Sequence, residues 1–249
     1  MPEQKHLKVE LIRHTLSPEE TVALGARLCY SKATISDLKE RIEQKDQSEF
    51  VKRLLSMGHE SIFEHASFTF GIEGVSRVLL AQITRHRIAS FSVQSQRYVS
   101  YENGFGYIIP PKIEALGPEA ADEFKNQMEI IQNWYNGWQE KLGSGEGSNE
   151  DARFILPNAC ETRILMTMNV RELRHFFSLR MCYRAQWEIR NLAEQMHLLC
   201  FSVAPDLFVD AGPACLRGRC PEGEKSCGQI VQIKNRRNEL LKSINKENE

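Results

Sequence analysis

ASFTFGIEGVSRVLLAQITRHRIASFSVQSQR, residues Ala66–Arg97, passes from one backbone periodicity to another and then into a run of unusual chemistry. Ala66–Ile72 is rich in β-forming residues and flanked by glycines, which predicts a strand. From Val75 to Arg87, the side chains of Val75, Val78, Leu79, Gln82 and His86 fall on one stripe at helical spacing, which predicts a helix. The rest, Arg85–Arg97, sets Arg85, His86 and Arg87 at the helix end, followed by a hydroxyl-rich turn with Ser90, Ser92 and Ser95 leading to Arg97. A helix dipole favours cations at its C-terminus by ~0.3–1 kcal/mol, which accounts for part of this pattern. It does not require arginine on both sides of a histidine. Hydroxyls and guanidinium groups together suit a phosphate, which takes several short donors at once.

The same alternation of element types continues outward. Lys8–Thr15 reads as a strand, and Ser17 with Glu19 and Glu20 opens a helix running to about Tyr30. A polar stretch, Ser36–Gln47, precedes a helix over Glu49–Met57 that Gly58 closes. Downstream, Tyr107–Pro111 is a short extended piece and Pro118–Leu142 a long helix. Gly143–Ser148 reads as a flexible linker or surface loop. Thr162–Met168 is strand-like, and Asn169 can cap the next helix, with Glu172 completing a capping-box pattern. Trp187–Val203 carries Ile189, Leu192, Ala193, Met196, Leu199, Cys200 and Val203 on one face, as a core helix does. The residues from Gln232 onward read as a charged helical tail. The expected fold class is α/β (α+β mixed), a single domain with a central sheet packed by long helices. Its catalytic part is expected over residues 1–212, with a cysteine-containing, charged tail over 213–249.

Bulk properties exclude little but narrow the field. The chain has 249 residues, 41% hydrophobic, and its 32 basic and 33 acidic side chains give a net charge of −1. No overall field therefore favours a nucleic acid or a membrane. No segment has the apolar length of a signal peptide or a membrane span, and the expected setting is cytoplasmic. Lysine is absent between Lys52 and Lys112 and between Lys141 and Lys225, while arginine is frequent in both stretches. Arginine's planar fork suits phosphates, carboxylates and the edges of flat heterocycles, although it also tolerates partial burial better than lysine.

Arg85-His86-Arg87, seven residues and then Ser95 resembles the signature of the flavin-dependent thymidylate synthases. A chance match in a chain of this length is on the order of one in a thousand. GHESIFEHASFTF (Gly58–Phe70), DARFILP (Asp151–Pro157), NVREL (Asn169–Leu173) and SLRMCYRAQWEIR (Ser178–Arg190) resemble further family segments in the family's order. The resemblance covers most of Leu7–Val209, is weak over 111–147 and stops near Gly212.

That resemblance implies FAD contacts at Ser61, Glu64, Arg85, His86, Arg87, Asn169, Arg171 and His175. It implies a dUMP site at Gln82, Arg85, Val93, Gln94, Ser95, Gln96, Arg97, Arg153 and Arg180, with Ser95 and Arg97 near the phosphate. Arg180 corresponds to the arginine that stabilises negative charge at N3 and O2 of the uracil. It further implies 5,10-methylenetetrahydrofolate as methylene donor, NADPH as electron donor, and a homotetramer with shared active sites. Val93 departs from the polar residue common among relatives, and Ser178 and Leu179 vary from some of them.

A helical wheel tests part of this independently. Arg171, His175 and Ser178 share one face of the helix after Asn169, and Arg180 lies about 180° away, nearer Leu173, Phe176 and Phe177. A partly buried arginine requires an acceptor, either a ligand or an internal carboxylate such as Glu188. Ser95 is read as a phosphate contact and not a nucleophile, since no carboxylate–histidine relay accompanies it. His59 and His65 are read as ordering the loop between them, and His197 as structural.

A different class of function stays open on the residues alone. Arg85, Arg87 and Arg97 alternate with Phe91, Tyr98 and Tyr101, as in single-strand RNA binding, against which the balanced charge counts. No metal site is assigned. Four cysteines, Cys29, Cys160, Cys182 and Cys200, sit singly and read as small buried hydrophobes. Cys215, Cys220 and Cys227 are spaced by five and seven, which is not a usual zinc pattern; a fourth ligand from elsewhere, a disulfide, or no role at all are each open.

Overall fold

The computed structural model describes residues 1–143 and 145–247, with side chains described through residue 242. Its strands are β1 (Glu3–Gln4), β2 (Lys8–His14), β3 (Ser67–Ser76), β4 (Ala89–Val93), β5 (Gly106–Tyr107) and β6 (Glu161–Asn169). Its helices are α1 (Pro18–Leu28), α2 (Ile35–Glu43), α3 (Ser48–Met57), α4 (Arg77–Ile83), α5 (Pro111–Glu114), α6 (Pro118–Leu142), α7 (Glu146–Ala152), α8 (Val170–Arg180), α9 (Trp187–Val203), α10 (Pro205–Phe208) and α11 (Ile230–Glu247). The mixed α/β class follows directly. A four-stranded sheet has the order β2-β3-β6-β4, and β1 and β5 pair in parallel with Glu3 opposite Gly106. Among the described residues, no helix is long and apolar enough to cross a membrane.

The chain forms two compact units. The first comprises Met1–Lys8, Gly71–Arg85 and Phe91–Leu165, and the second Val9–Phe70, His86–Ser90 and Met166–Glu249. The first unit is built on α6, whose Met128 and Tyr135 pack with Tyr101, Phe105, Tyr107 and Cys160 in a buried cluster. Tyr135 is fully buried, and its hydroxyl accepts from the Tyr101 N–H at 3.3 Å, so the ring is anchored at its polar end as well. The second unit centres on aromatic side chains. Phe208 meets Phe68 edge-on at 5.5 Å and Phe177 at 6.0 Å, and Phe177 meets His197 at 5.3 Å.

Several expected elements take different bounds, each for a local reason. The polar stretch after Ser36 is not a connection but α2. Thr34 accepts from the Asp37 N–H, and the Asp37 carboxylate takes the Thr34 N–H, a reciprocal cap that launches a helix with only Leu38 and Ile42 buried. β3 runs on through Val75 and Ser76, because the Ser76 hydroxyl caps α4 by accepting from the Leu79 N–H. That helix stops at Ile83, so Arg85, His86 and Arg87 stand beyond it and not on its last turn. The hydroxyl-rich turn is largely strand β4, in which Ser90 and Ser92 alternate onto the exposed side. α7 begins inside the stretch read as linker, of which residue 144 lies outside the described residues.

One glycine marks a close approach. Within α1, a Cβ on Gly25 would stand 2.9 Å from Cδ2 of His65, so a larger residue would displace that ring. His65 therefore packs against α1, in keeping with the ordering role read for it.

Candidate functional site

α8 organises the site in the second unit. Asn169 Oδ1 accepts from the Glu172 N–H at 2.8 Å, satisfying one of the helix's orphan donors. Val170 N–H is held by the Ala66 carbonyl at 2.9 Å, which docks the start of the helix on the end of the 3-10 turn Glu60–His65. One face of α8, through Arg171, His175 and Ser178, lines a cleft of about 500 Å³ that also takes in Leu55, Phe63, Glu64, Ile88, Asn169 and Arg217. Apolar walls thus meet guanidinium, imidazole and carboxylate groups. Arg171 is held by Glu64 at 2.5 Å and Glu60 at 3.4 Å, both carboxylates coming from that turn. These are half-exposed pairs and can exchange partners at little cost.

Arg174 and Asp210 line the same cleft as a pair. The Arg174 guanidinium grips Asp210 through two bonds of 2.7 and 3.0 Å and donates to the Leu207 carbonyl at 2.6 Å. Burial alone would raise the Asp210 carboxyl, but Arg174's paired donors outweigh it and hold that group below the ordinary carboxylate range. Neither residue was singled out in the sequence.

Glu172, which also lines the cleft, begins a chain of three polar groups in which Glu172 and His86 are buried and Arg180 is part-buried. His86 Nδ1 stands 2.9 Å from Glu172 Oε1, and Arg180 Nε donates to His86 Nε2 at 3.0 Å. Arginine cannot accept, so Nε2 carries the lone pair and the ring proton sits on Nδ1, donated to Glu172. Burial lowers the imidazole's affinity for a proton; the Glu172 bond opposes this and Arg180's positive charge reinforces it, so the net shift is downward. His86 is therefore a neutral bridge. Phe176 closes on its ring edge-on at 5.0 Å. The sequence marked Glu172 only as the third residue of a capping box. Its N–H does take the cap, but its carboxylate turns to His86 instead of completing the box.

Other expected contacts in this unit are placed more simply. Ser61 is exposed on the 3-10 turn, and Arg87 is exposed with no ion pair among the described residues. His175 is exposed, 6.1 Å from the His86 ring.

The first unit holds the remaining candidates. Arg85 is exposed, and Gln82 Nε2 donates to the Val78 carbonyl at 3.4 Å. Val93 ends β4 half-buried. Gln94 Oε1 accepts from the Tyr101 hydroxyl at 3.4 Å, and buried Gln96 donates to Cys160 Sγ at 3.4 Å. Ser95 Oγ accepts from the Arg97 N–H at 3.1 Å. Arg97 is paired twice, with Glu146 and with Glu150, each at 2.7 Å, and Arg153 Nε donates to the Glu150 carbonyl at 3.1 Å. Arg97 thus spans α7 from Glu146 to Glu150, where Arg153 also bonds, and a phosphate on Arg97 would compete with two carboxylates. The expected nucleotide residues, Arg180 apart, belong to the first unit, and the expected flavin residues, Arg85 apart, to the second.

Residues 10–206 match the family model described as thymidylate synthase complementing protein. The flavin-dependent thymidylate synthase of Geobacter sulfurreducens is 48% identical over 229 residues, covering 92% of this chain and 97% of that one. The chain belongs to the flavin-dependent thymidylate synthase family. Relatives bearing that name from Clostridium tetani and Pyrococcus furiosus are 44% and 42% identical, over 92% and 87% of this chain and 96% and 90% of theirs. A UMP/dUMP methylase, PolB from Streptomyces cacaoi, solved with 5-Br dUMP, has the same fold with a TM-score of 0.68 at 23% identity, over 83% of this chain and 95% of that one. As a family member, the chain is a flavin-dependent methyltransferase by class. Family membership decides against the RNA-binding module.

Proposed function

We propose that this chain makes dTMP from dUMP, taking a methylene from 5,10-methylenetetrahydrofolate and using FAD reduced by NADPH. The observation that carries the reading is the two-sided use of α8. Arg171, His175 and Ser178 line an open cleft, while Arg180 is oriented through a buried neutral His86. The cleft's residues fit a flavin dinucleotide. Leu55, Phe63 and Ile88 offer apolar surface to flat rings, and Arg171 and Arg217 offer donors to a pyrophosphate. Reduced flavin, when bound, supplies the hydride that turns the transferred methylene into a methyl group.

The protein's own work is placement and electrostatics. Arg180 is assigned to the uracil edge, where N–H donors stabilise negative charge on N3 and O2 as the ring is activated at C5. His86 holds that guanidinium from behind, and because it is neutral it adds no competing charge. Glu172 fixes the tautomer that can accept from Arg180. Ser61, Glu64, Arg85, His86, Arg87, Asn169, Arg171 and His175 are assigned to FAD. Gln82, Arg85, Val93, Gln94, Ser95, Gln96, Arg97 and Arg153 are assigned to the nucleotide, Val93 through its backbone. Exposed Arg85 and Arg87 are cations with no carboxylate partner among the described residues, as anion-binding groups should be.

The reading includes a cytoplasmic enzyme with its catalytic part over residues 1–212, working as a homotetramer with shared sites. Three large apolar side chains support that assembly: Ile88, Tyr98 and Phe154, 66%, 68% and 81% exposed, each follow a candidate arginine. A partner subunit would cover them. The same-fold methylase has also been solved with 5-Br UMP, which keeps a ribonucleotide substrate as the second reading. Purified protein is expected to be yellow, to bleach under anaerobic reductant, and to shift its flavin spectrum on addition of dUMP more than of UMP. Colourless protein that takes up no FAD would sink the reading, and turnover of UMP but not dUMP would replace it with the second.

A further inference from the structure

The tail cysteines do not stay separate from the rest of the chain. Cys215, Cys220 and Cys227 belong to the stretch Asp210–Gly228, whose regular structure is limited to the 3-10 turns Ala214–Leu216 and Gly223–Lys225. Cys182 comes from the turn between α8 and α9. All four line a single cavity of about 100 Å³, and none is in a disulfide. Cys182 was read as a lone packing residue, but it supplies the fourth thiol that the sequence spacing lacked. Cys29, also read as buried, is exposed at the end of α1.

Arg174 and Arg217 anchor the stretch at Asp210, but its cysteine-bearing part has little apolar packing of its own. Leu216 is its one large apolar side chain, far too little burial to offset the entropy of ordering the loop. Arg184 donates to the Lys225 carbonyl and pairs with Glu222 at 3.5 Å, but that ion pair is half exposed and worth little. A compact loop with four thiols on one cavity, and only Leu216, Ile230 and Ile233 as large apolar support, is the situation that metal cross-links relieve.

We propose that Cys182, Cys215, Cys220 and Cys227 form a four-thiolate structural site for a thiophilic divalent cation, zinc being the ion that suits it. Among the described residues, no three such groups are already set around a point. Binding therefore draws the cavity walls inward until each sulfur reaches ~2.3 Å from the ion. Four thiols release four protons to solvent, no electrons move, and the resulting dianionic centre faces Arg184. The site uses no residue of the cleft, so it stands or falls apart from the proposed function.

The test uses the full chain purified from zinc-supplemented cells under reducing conditions. Elemental analysis should find one zinc per chain. Cys220→Ser and Cys227→Ser should each lower the occupancy at least tenfold, and Cys29→Ser should leave it unchanged. Because those variants could fail to fold, the wild-type chain carries an independent readout. Stripped and titrated with Co2+, it should develop sulfur-to-cobalt charge transfer and strong tetrahedral visible bands, and zinc should bleach them. Reduced protein with sub-stoichiometric metal and no cobalt charge transfer would overturn the proposal. So would a disulfide joining any two of the four cysteines, or an iron–sulfur chromophore at this site.

Discussion

At the scale of single residues, the consequential feature is the chain from buried Glu172 and His86 to part-buried Arg180. A charged group is hard to aim, because its long side chain has many rotamers; an acceptor buried behind it removes that freedom. Arg180→Lys keeps the charge but cannot reproduce the guanidinium's planar set of donors. Turnover is expected to fall about 10²–10³-fold while flavin absorbance and circular dichroism remain those of the wild type. Turnover near wild type in that variant would remove Arg180's assigned role. Glu172→Gln tests the positioning behind it. In the wild type, ring 15N shifts of His86 should show a single neutral tautomer with the proton on Nδ1 at neutral pH. In the variant the amide can face the ring with either end, so a mixture should appear and turnover should drop with it. An unchanged tautomer alongside lost turnover would mean that Glu172 acts in some other way.

At the scale of elements, local signals located most helices and strands, and the exceptions share a cause. Trp187–Val203 and Pro118–Leu142 were legible to the residue, the first by an apolar stripe behind the Gln186 cap and the second by the proline that opens it and the glycine that follows it. α2 was missed because only Leu38 and Ile42 are buried in it, too few to make a stripe. The Thr34–Asp37 cap was the signal that could have found it. α4 was read too long at its start because Val75 fits a helical stripe and a strand equally, and it lies in β3, with Ser76 as the cap between them. The approach of α1 to His65 makes a sharper test of packing between elements. Gly→Ala inside a helix ordinarily stabilises by roughly 0.5–1 kcal/mol. Gly25→Ala alone should not deliver that gain, because its Cβ must push the His65 ring aside. In a His65→Ala background the same change should stabilise by the full amount, measured by chemical denaturation. Equal effects in both backgrounds would show that the contact carries no energy.

At the scale of the whole molecule, two buried histidines set an acid limit. His197 is buried on α9 with Nε2 donating to the Phe208 carbonyl at 3.0 Å, and burial lowers its pKa from 6.5 to about 4. His86 is shifted the same way. For groups lowered on folding, the unfolded chain holds more protons between the two values, so stability is complete above pH 6.5 and declines as pH falls toward 4. His197 alone accounts for roughly 3 kcal/mol across that interval. Thermal melts should therefore show the midpoint falling through that range, and His197→Gln should flatten the dependence while lowering stability at neutral pH. A pH-independent midpoint would contradict the burial argument. Assembly offers a separate expectation. Phe154→Glu puts a charge on an exposed aromatic and should reduce the particle mass in analytical ultracentrifugation below that of a tetramer. An unchanged tetramer, or a wild-type monomer, would dissociate this side chain from assembly.

The order of the segments, the Arg85-His86-Arg87 and Ser95 signature, the cap at Asn169 and the two faces of α8 were all determined by the sequence alone. Each depends on neighbours within a few residues, or on a family pattern that residue identities carry directly. Tertiary structure alone decided that Glu172 turns from its own cap to His86, that Asp210 engages Arg174, that Arg97 is met by two carboxylates, and that Cys182 joins the tail cysteines. Those partners lie tens of residues apart in the chain. Hydrogen bonds and burial act over a few ångströms of space, whatever the separation in sequence, so no local pattern could have announced them.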